Sequence, residues 1–208
     1  MIHVDQKPEP ANFNGEVREP GLAFLRNHPG RRAVDWRGRE YWRCAIPRLR
    51  PAYSSICAYT CHWISIDTGS ETVEHFHPKS IYPDLAYEWS NYRLVCSRMN
   101  GRKGDHEDVL DPFLVRDGMF QLTFPAMLVR PSGDLARDER EAVEKTIARL
   151  RLNDDETSVR ARLQYVLLYC SGDISLRFLR QHAPFIAKEL AREALEDAAA
   201  LSRIMSQT

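Results

Sequence analysis

The chain has 208 residues, of which 43% are hydrophobic, and its 29 basic side chains balance 29 acidic ones for a formal net charge of +0. That length supports one good core, or a small core with an appendage, and the charge balance supplies no bulk attraction to nucleic acid. No run of about 18 apolar residues occurs, so no membrane span is expected; Met1-Ile2-His3-Val4-Asp5-Gln6-Lys7-Pro8 lacks the apolar stretch of a signal peptide, so a cytoplasmic protein is expected.

In chain order, residues 1–50 are rich in Pro, Gly and Arg and read as an extended arm with at most short helices, one of them near Gly21–Asn27. The basic charge of the chain concentrates here, at Arg26, Arg31, Arg32, Arg37, Arg39, Arg43, Arg48 and Arg50, with Trp36, Tyr41 and Trp42 interleaved. Arginine alternating with aromatic rings suits phosphate contact and base stacking. It equally suits a solvated arm or a partner-binding surface. Residues 51–115 carry nearly all the reactive side chains and are expected to form a chemical module.

Within Gly118–Val129, Phe120, Leu122 and Phe124 alternate as on a strand that Pro125 limits. The remainder of 116–208 reads as helical. Val143, Ile147 and Leu150 recur at helical spacing, as do Val159, Leu163, Val166, Leu167 and Cys170 before a stop at Ser171-Gly172. A last helix is expected to start at Pro184 and continue through Ile186, Leu190, Ala194 and Leu201. The expected fold class is therefore α+β: an N-terminal arm, a small chemical module and a helical C-terminal region.

The five cysteines are Cys44, Cys57, Cys61, Cys96 and Cys170. An odd number without an export signal argues against a disulfide framework. Cys170 falls on an apolar helical stripe and reads as core.

The densest chemistry lies in Val73-Glu74-His75-Phe76-His77-Pro78-Lys79-Ser80, followed by Asn91 and by Asn100-Gly101-Arg102-Lys103-Gly104. Phosphodiester hydrolysis requires that water lose a proton, that charge on the phosphoryl oxygens be stabilised and that the leaving oxygen be neutralised. A histidine can take the proton. A hard divalent cation, Mg²⁺ or Mn²⁺, can do the rest and prefers oxygen ligands such as Glu and Asn. Glu74, His75 and Asn100 supply that set. Successive strand residues point to opposite faces, so Glu74 and His75 can share a site only at a bend or along a strand edge. His77, on the alternate face, reads as surface. His62, Tyr87 and Trp89 read as structural.

Glu74-His75-x-x-Pro78, Asn91-x-x-Leu94 and Asn100-x-x-Lys103 together resemble the signature of HNH (His-Me finger, ββα-metal) nucleases, including the HNH domain of RNA-guided nucleases. The resemblance implies a ββα-metal core in which Glu74 and Asn100 hold the metal and His75 activates water. It further implies that Asn91 pins the loop carrying His75 and that Lys103 lies near the scissile phosphate. Lys79 and Arg102 would contact nucleic acid. Tyr53-x-x-Ile56-Cys57-Ala58-Tyr59, Pro78-Lys79-Ser80, Tyr87-x-Trp89-x-Asn91, Asp111-Pro112-Phe113 and Thr146-Ile147-x-x-Leu150-x-Leu152-Asn153 extend the likeness to a narrower group. These are bacterial anti-phage HNH proteins of the Septu type, and the likeness covers roughly residues 50–155. In that group an SMC/ABC-like ATPase is the partner, and DNA the substrate that the likeness implies.

The sequence departs from the group at one place. Many relatives carry two Cys-x-x-Cys pairs that bind a structural Zn²⁺. Here the first pair, Cys57 and Cys61, is one residue too long, and Cys96 is followed by Met99 where the last thiolate belongs. Ligand number and spacing both fall short, and Met is a poor zinc ligand. Loss of the zinc is the favoured reading; completion of the site by His62 or another group is the alternative. Two rival functions stay open: a non-catalytic HNH-like subunit that binds DNA or an ATPase, and an RNA nuclease. No sequence-reading helix is evident, so a partner is expected to deliver the substrate, docking on the C-terminal helices or the Arg-rich arm.

Overall fold

A computed structural model describes residues 1–27, 34–67 and 70–206. Among the described residues the chain is α+β, with eight α-helices and two two-stranded antiparallel sheets. It divides into two compact units. One comprises Asp5–Ala58 with Ile64–Glu107; the other comprises Met1–Val4, Tyr59–Trp63 and the chain from Asp108 onward. No described helix is long and apolar enough to cross a membrane.

The expected divisions after residues 50 and 115 do not coincide with these units, and the expected arm is not extended. Arg31 and Arg32 lie outside the described residues. The described part of the N-terminal segment folds, burying Phe13, Val17, Leu25, Trp42 and Leu49. Two of its prolines begin helices. Pro20 opens α1 (Glu19–Arg26) and Pro47 opens α2 (Ile46–Ala52), where a missing N–H leaves no bond unmade. Gly21 is required by contact: a Cβ there would fall 2.2 Å from Cγ of Tyr87. Phe13 packs edge-on against Trp89 and Tyr92, at centroid distances of 5.5 and 5.7 Å.

That N-terminal layer covers a small strand-strand-helix unit. Strand β1 (Glu71–His75) pairs antiparallel with β2 (Tyr92–Cys96), setting Glu71 opposite Cys96, Val73 opposite Leu94 and His75 opposite Tyr92. Helix α3 (Ser97–Lys103) leaves β2 directly and ends at Gly104, whose φ of +50° suits a residue without Cβ. Between the strands run two short 3₁₀ turns, Pro83–Leu85 and Trp89–Asn91.

The second unit holds a hairpin, β3 (Phe120–Leu122) with β4 (Val129–Pro131), and helices α4 (Arg137–Arg149), α5 (Arg160–Cys170), α6 (Leu176–His182), α7 (Pro184–Arg192) and α8 (Ala198–Met205). The strand expected to run through Phe124 stops at Leu122, because the Thr123 and Leu128 backbones bond to turn the chain back. The last helix is two helices. Ala194 adopts φ +54° and breaks α7, and the Asp197 carboxylate restarts the chain as α8 by accepting from Ala200 N at 2.7 Å. In α5 the buried stripe is Arg162, Val166 and Tyr169, whereas Leu167 is 49% exposed. The Arg162 guanidinium is buried because it donates to the Met127 and Leu152 carbonyls at 2.8 and 2.7 Å.

Candidate active site

A cleft of about 860 Å³ lies wholly within the first unit. It touches Thr72, Val73, Glu74 and His75 in succession. A pleated strand presents four consecutive residues to one space only along its edge, and β1 belongs to a sheet of two strands, so one of its edges is unpaired among the described residues. The geometric demand raised by adjacent Glu74 and His75 is met in this way, and Val73, Glu74 and His75 are all buried.

His75 is 6% exposed and fixed on three sides. Its Nε2 lies 2.9 Å from the Ala86 carbonyl oxygen. A carbonyl only accepts, so Nε2 carries the hydrogen and Nδ1 keeps its lone pair. The ring sits edge-to-face against Trp42 at 4.9 Å and Tyr92 at 5.3 Å. Burial, aided by the charges of Lys79 and Lys103, pushes the imidazole down to about 3, so it is neutral at physiological pH. The Tyr92 hydroxyl donates to the same Ala86 oxygen at 2.8 Å.

Asn91 is buried within the loop that joins the two strands. Its Oδ1 accepts from His77 N at 2.7 Å, and its Nδ2 donates to the His77 and Leu85 carbonyls, both at 3.0 Å. Its own carbonyl accepts from Phe76 N at 3.0 Å. Both ends of the loop from Phe76 to Ala86 are thereby tied to one residue, and with them the carbonyl that holds His75.

Glu74 is 2% exposed. Its Oε1 meets the Lys103 ammonium at 2.8 Å, while Oε2 is buried without a hydrogen-bond partner among the described residues. Burial pushes the carboxyl up to about 7, against the pull of Lys103, Lys79 and Arg93. Lys103 was expected beside a scissile phosphate. It is instead fully buried, with Nζ also donating to the His75 carbonyl at 3.1 Å, and is not among the described residues that line the cleft. A buried ammonium needs a counter-charge, and Glu74 supplies it. Phe76 adds the faces of its ring, 5.7 Å from Lys103 Nζ and 5.2 Å from the Arg93 guanidinium.

Asn100 lines the cleft from α3, its Nδ2 donating to Thr72 Oγ1 at 3.0 Å and to the Val73 carbonyl at 3.3 Å. The amide nitrogen is thereby committed, and the oxygen is the end suited to a cation. Lys79 also lines the cleft, its ammonium 5.3 Å from the centre of the Trp42 ring. Arg102, the other expected nucleic-acid contact, is half-buried and not among the lining residues. His77 is exposed, and Tyr87 and Trp89 are buried.

The residues of the possible vestigial zinc knuckle are divided between the two units. Cys57 and Cys96 lie in one unit with their sulfurs 3.9 Å apart, whereas Cys61 and His62 belong to the other. Among the described residues no three His, Cys, Asp or Glu side chains are grouped to hold a metal. Cys57 accepts from the Cys96 backbone N–H at 3.5 Å, and its hydrogen bond with the Cys96 thiol, with burial, pushes that thiol up. Met99 is buried as an ordinary apolar side chain. His62 packs edge-on against Tyr165 at 5.1 Å.

Reading the sequence did not find Trp42, Tyr92 or the Ala86 carbonyl. Trp42 stood within the recognised Arg-aromatic run, but nothing in the spacing tied it to His75.

Fold and site together define an α+β protein in which a neutral, carbonyl-anchored histidine and a buried carboxylate share one cleft. No family model matches the chain. Over 114 residues, 55% of its length, the chain is 30% identical to the Septu protein PtuB of Bacillus thuringiensis. That stretch is 41% of the relative, so the chain spans about two fifths of the length of the curated protein it matches.

Proposed function

We propose that this chain is a divalent-metal-dependent phosphodiesterase of the HNH type, acting on DNA in bacterial anti-phage defence. The reading rests on one observation above all. The lone pair of His75 Nδ1 and the unpartnered Glu74 Oε2 belong to adjacent residues on the edge of one cleft. The order β1–β2–α3 fits a ββα-metal core, and similarity to the Septu protein PtuB supports the assignment to defence.

The residues fit a hard cation. Glu74 offers a buried oxygen without a hydrogen-bond partner among the described residues, and Asn100 has an amide oxygen left over after its nitrogen is committed. Bound there, Mg²⁺ or Mn²⁺ would stabilise charge on the phosphoryl group and the leaving oxygen. His75 takes the proton from water at Nδ1. Its Nε2–H bond to Ala86 keeps that nitrogen unprotonated and aimed. Asn91 holds the loop that carries Ala86, and Lys103 holds Glu74 in its rotamer. A partner that delivers DNA, an SMC/ABC-like ATPase by family likeness, belongs to the same proposal.

Cleavage of supercoiled plasmid with Mg²⁺, Mn²⁺ or EDTA tests it. Metal-dependent nicking or linearisation that His75→Ala abolishes is the expected result. Wild-type rates from a folded His75→Ala protein would remove His75 from the mechanism. The Glu74–Lys103 pair favours a second reading, in which the module is a non-catalytic binding subunit and the carboxylate only neutralises a buried lysine. In that case neither Mg²⁺ nor Mn²⁺ shifts thermal stability.

A further inference from the structure

We infer that the cleft takes an unpaired polynucleotide strand, with one base stacked on Trp36, in preference to an intact duplex. The inference rests on the hydrolytic reading above for the identity of the bond cut, but not for binding.

Depth is the first reason. Glu74 and His75 are 2% and 6% exposed, so a phosphate must enter the cleft to meet them. At about 860 Å³ the cleft is in the size class of small-ligand pockets. An intact duplex presents its phosphates on a stiff surface and is costly to deform, whereas an unpaired strand feeds a phosphate and its neighbouring base inward.

The second reason is the wall contributed by the N-terminal segment. Trp36 is half-buried and lines the cleft. Its ring meets Phe24, Trp42 and Tyr87 at centroid distances of 6.1, 5.7 and 6.1 Å, all edge-on, so it is held rigid. Trp42, also lining, is already covered by His75 and Lys79. Trp36 is therefore the indole with surface to offer. Beside it stand the exposed Arg43 and the half-buried Lys79 as phosphate-binding cations, while Arg37 is paired with Asp35 at 2.7 Å.

Charge decides between modes. Glu40 and Asp105 line the same cleft, so acidic groups offset the basic ones there. Net attraction to phosphate is weak, and the affinity must come from a contact indifferent to charge. Base stacking on an aromatic ring is such a contact, and it is open only to a base that has left its pair.

The test is fluorescence anisotropy with the full His75→Ala chain in EDTA, using labelled strands of about twelve nucleotides, a length within the span such sites cover. DNA and RNA single strands are compared with the DNA duplex of the same sequence. At least one single strand is expected to bind about tenfold or more tighter than the duplex, and the tighter one assigns the sugar. Trp36→Ala, with its fold checked by circular dichroism, is expected to lose about tenfold in single-strand affinity, and Trp36→Phe to keep most of it. Arg43→Ala, at an exposed position, should lower the salt dependence by about one phosphate contact. Equal or tighter duplex binding overturns the inference. So does an absence of single-strand binding, or a folded Trp36→Ala that binds normally. Should Trp36→Ala fail to fold, Arg43→Ala and the strand-against-duplex ratio decide. None of these readouts uses His75 or metal, so failed plasmid cleavage and failed strand binding are separate results.

Discussion

Tyr92 and His75 donate to the same acceptor: the tyrosine hydroxyl and the histidine Nε2 lie 2.8 and 2.9 Å from the Ala86 carbonyl oxygen. They are also directly opposite each other in the β1–β2 register, with rings edge-to-face. The phenol thus fixes the oxygen that fixes the imidazole. Tyr92→Phe is expected to cost about 1 kcal/mol of stability, one buried hydrogen bond. It should lower the metal-dependent cleavage rate by about 3- to 10-fold, since His75 keeps its acceptor but loses part of its alignment. Urea unfolding and plasmid cleavage on one preparation separate the two effects.

Lys103→Met should be far more damaging to the fold than its position on a short helix suggests. It leaves the Glu74 carboxylate buried without its counter-charge, at a cost of about 3 to 5 kcal/mol. Adding Glu74→Gln to Lys103→Met should recover a large part of that loss. Denaturant unfolding of both variants gives the answer, and a Lys103→Met midpoint equal to wild type would mean that the pair is solvated.

Asn91→Ala removes three side-chain hydrogen bonds to the His75 loop and leaves the His77 and Leu85 backbone groups without them. A loss of about 2 to 3 kcal/mol is expected. Amide exchange of residues 76–86 should accelerate more than that of β2.

A divalent cation held by Glu74 Oε2 and the Asn100 amide oxygen should stabilise the folded chain. At a concentration one hundred times its dissociation constant, Mg²⁺ or Mn²⁺ is expected to contribute about 2.7 kcal/mol, reversed by EDTA. Glu74→Gln and Asn100→Ala should each weaken that shift. Differential scanning fluorimetry across a metal titration measures it, and a flat response in wild type supports the non-catalytic reading.

Acid should weaken the second unit through His62. Burial, with the charge of Arg162 nearby, pushes this imidazole from its ordinary 6.5 down to about 3, and its Nε2 has no hydrogen-bond partner among the described residues. The unfolded chain therefore binds the extra proton between those two values. The contribution of His62 is intact above pH 6.5 and falls away as pH drops toward 3, by about 2 kcal/mol at pH 5. His62→Phe keeps the ring against Tyr165 and removes the proton site. Unfolding midpoints at pH 7 and pH 5 should lie closer together in that variant. His75, which burial also pushes down to about 3, contributes in the same sense to the slope that remains, and Glu74, which burial pushes up to about 7, contributes in the opposite sense.

The sequence by itself determined the chemistry available: Glu74 beside His75, Asn91 and Asn100 at suggestive spacings, and aromatic rings threaded among arginines. It also marked α4, α5 and the start of α7, because an apolar stripe and its turn residues are local signals, but it did not separate α6 or the break between α7 and α8. Spacing carried no information about which of those side chains would be shut away from water. Lys103 sits on the same helix as Asn100, three residues on, yet one side chain lines the cleft and the other closes a buried ion pair. Which way each turned was decided by what packs beneath: Phe76, Glu74 and the edge of β1. Pro20 and Pro47, in a segment whose composition read as an extended arm, open helices because Phe13, Val17, Leu25 and Leu49 have a core to enter. The bond that fixes the state of His75 joins a side chain to a backbone oxygen eleven residues away. Any residue can supply a carbonyl, so only the path of the chain through space could select Ala86.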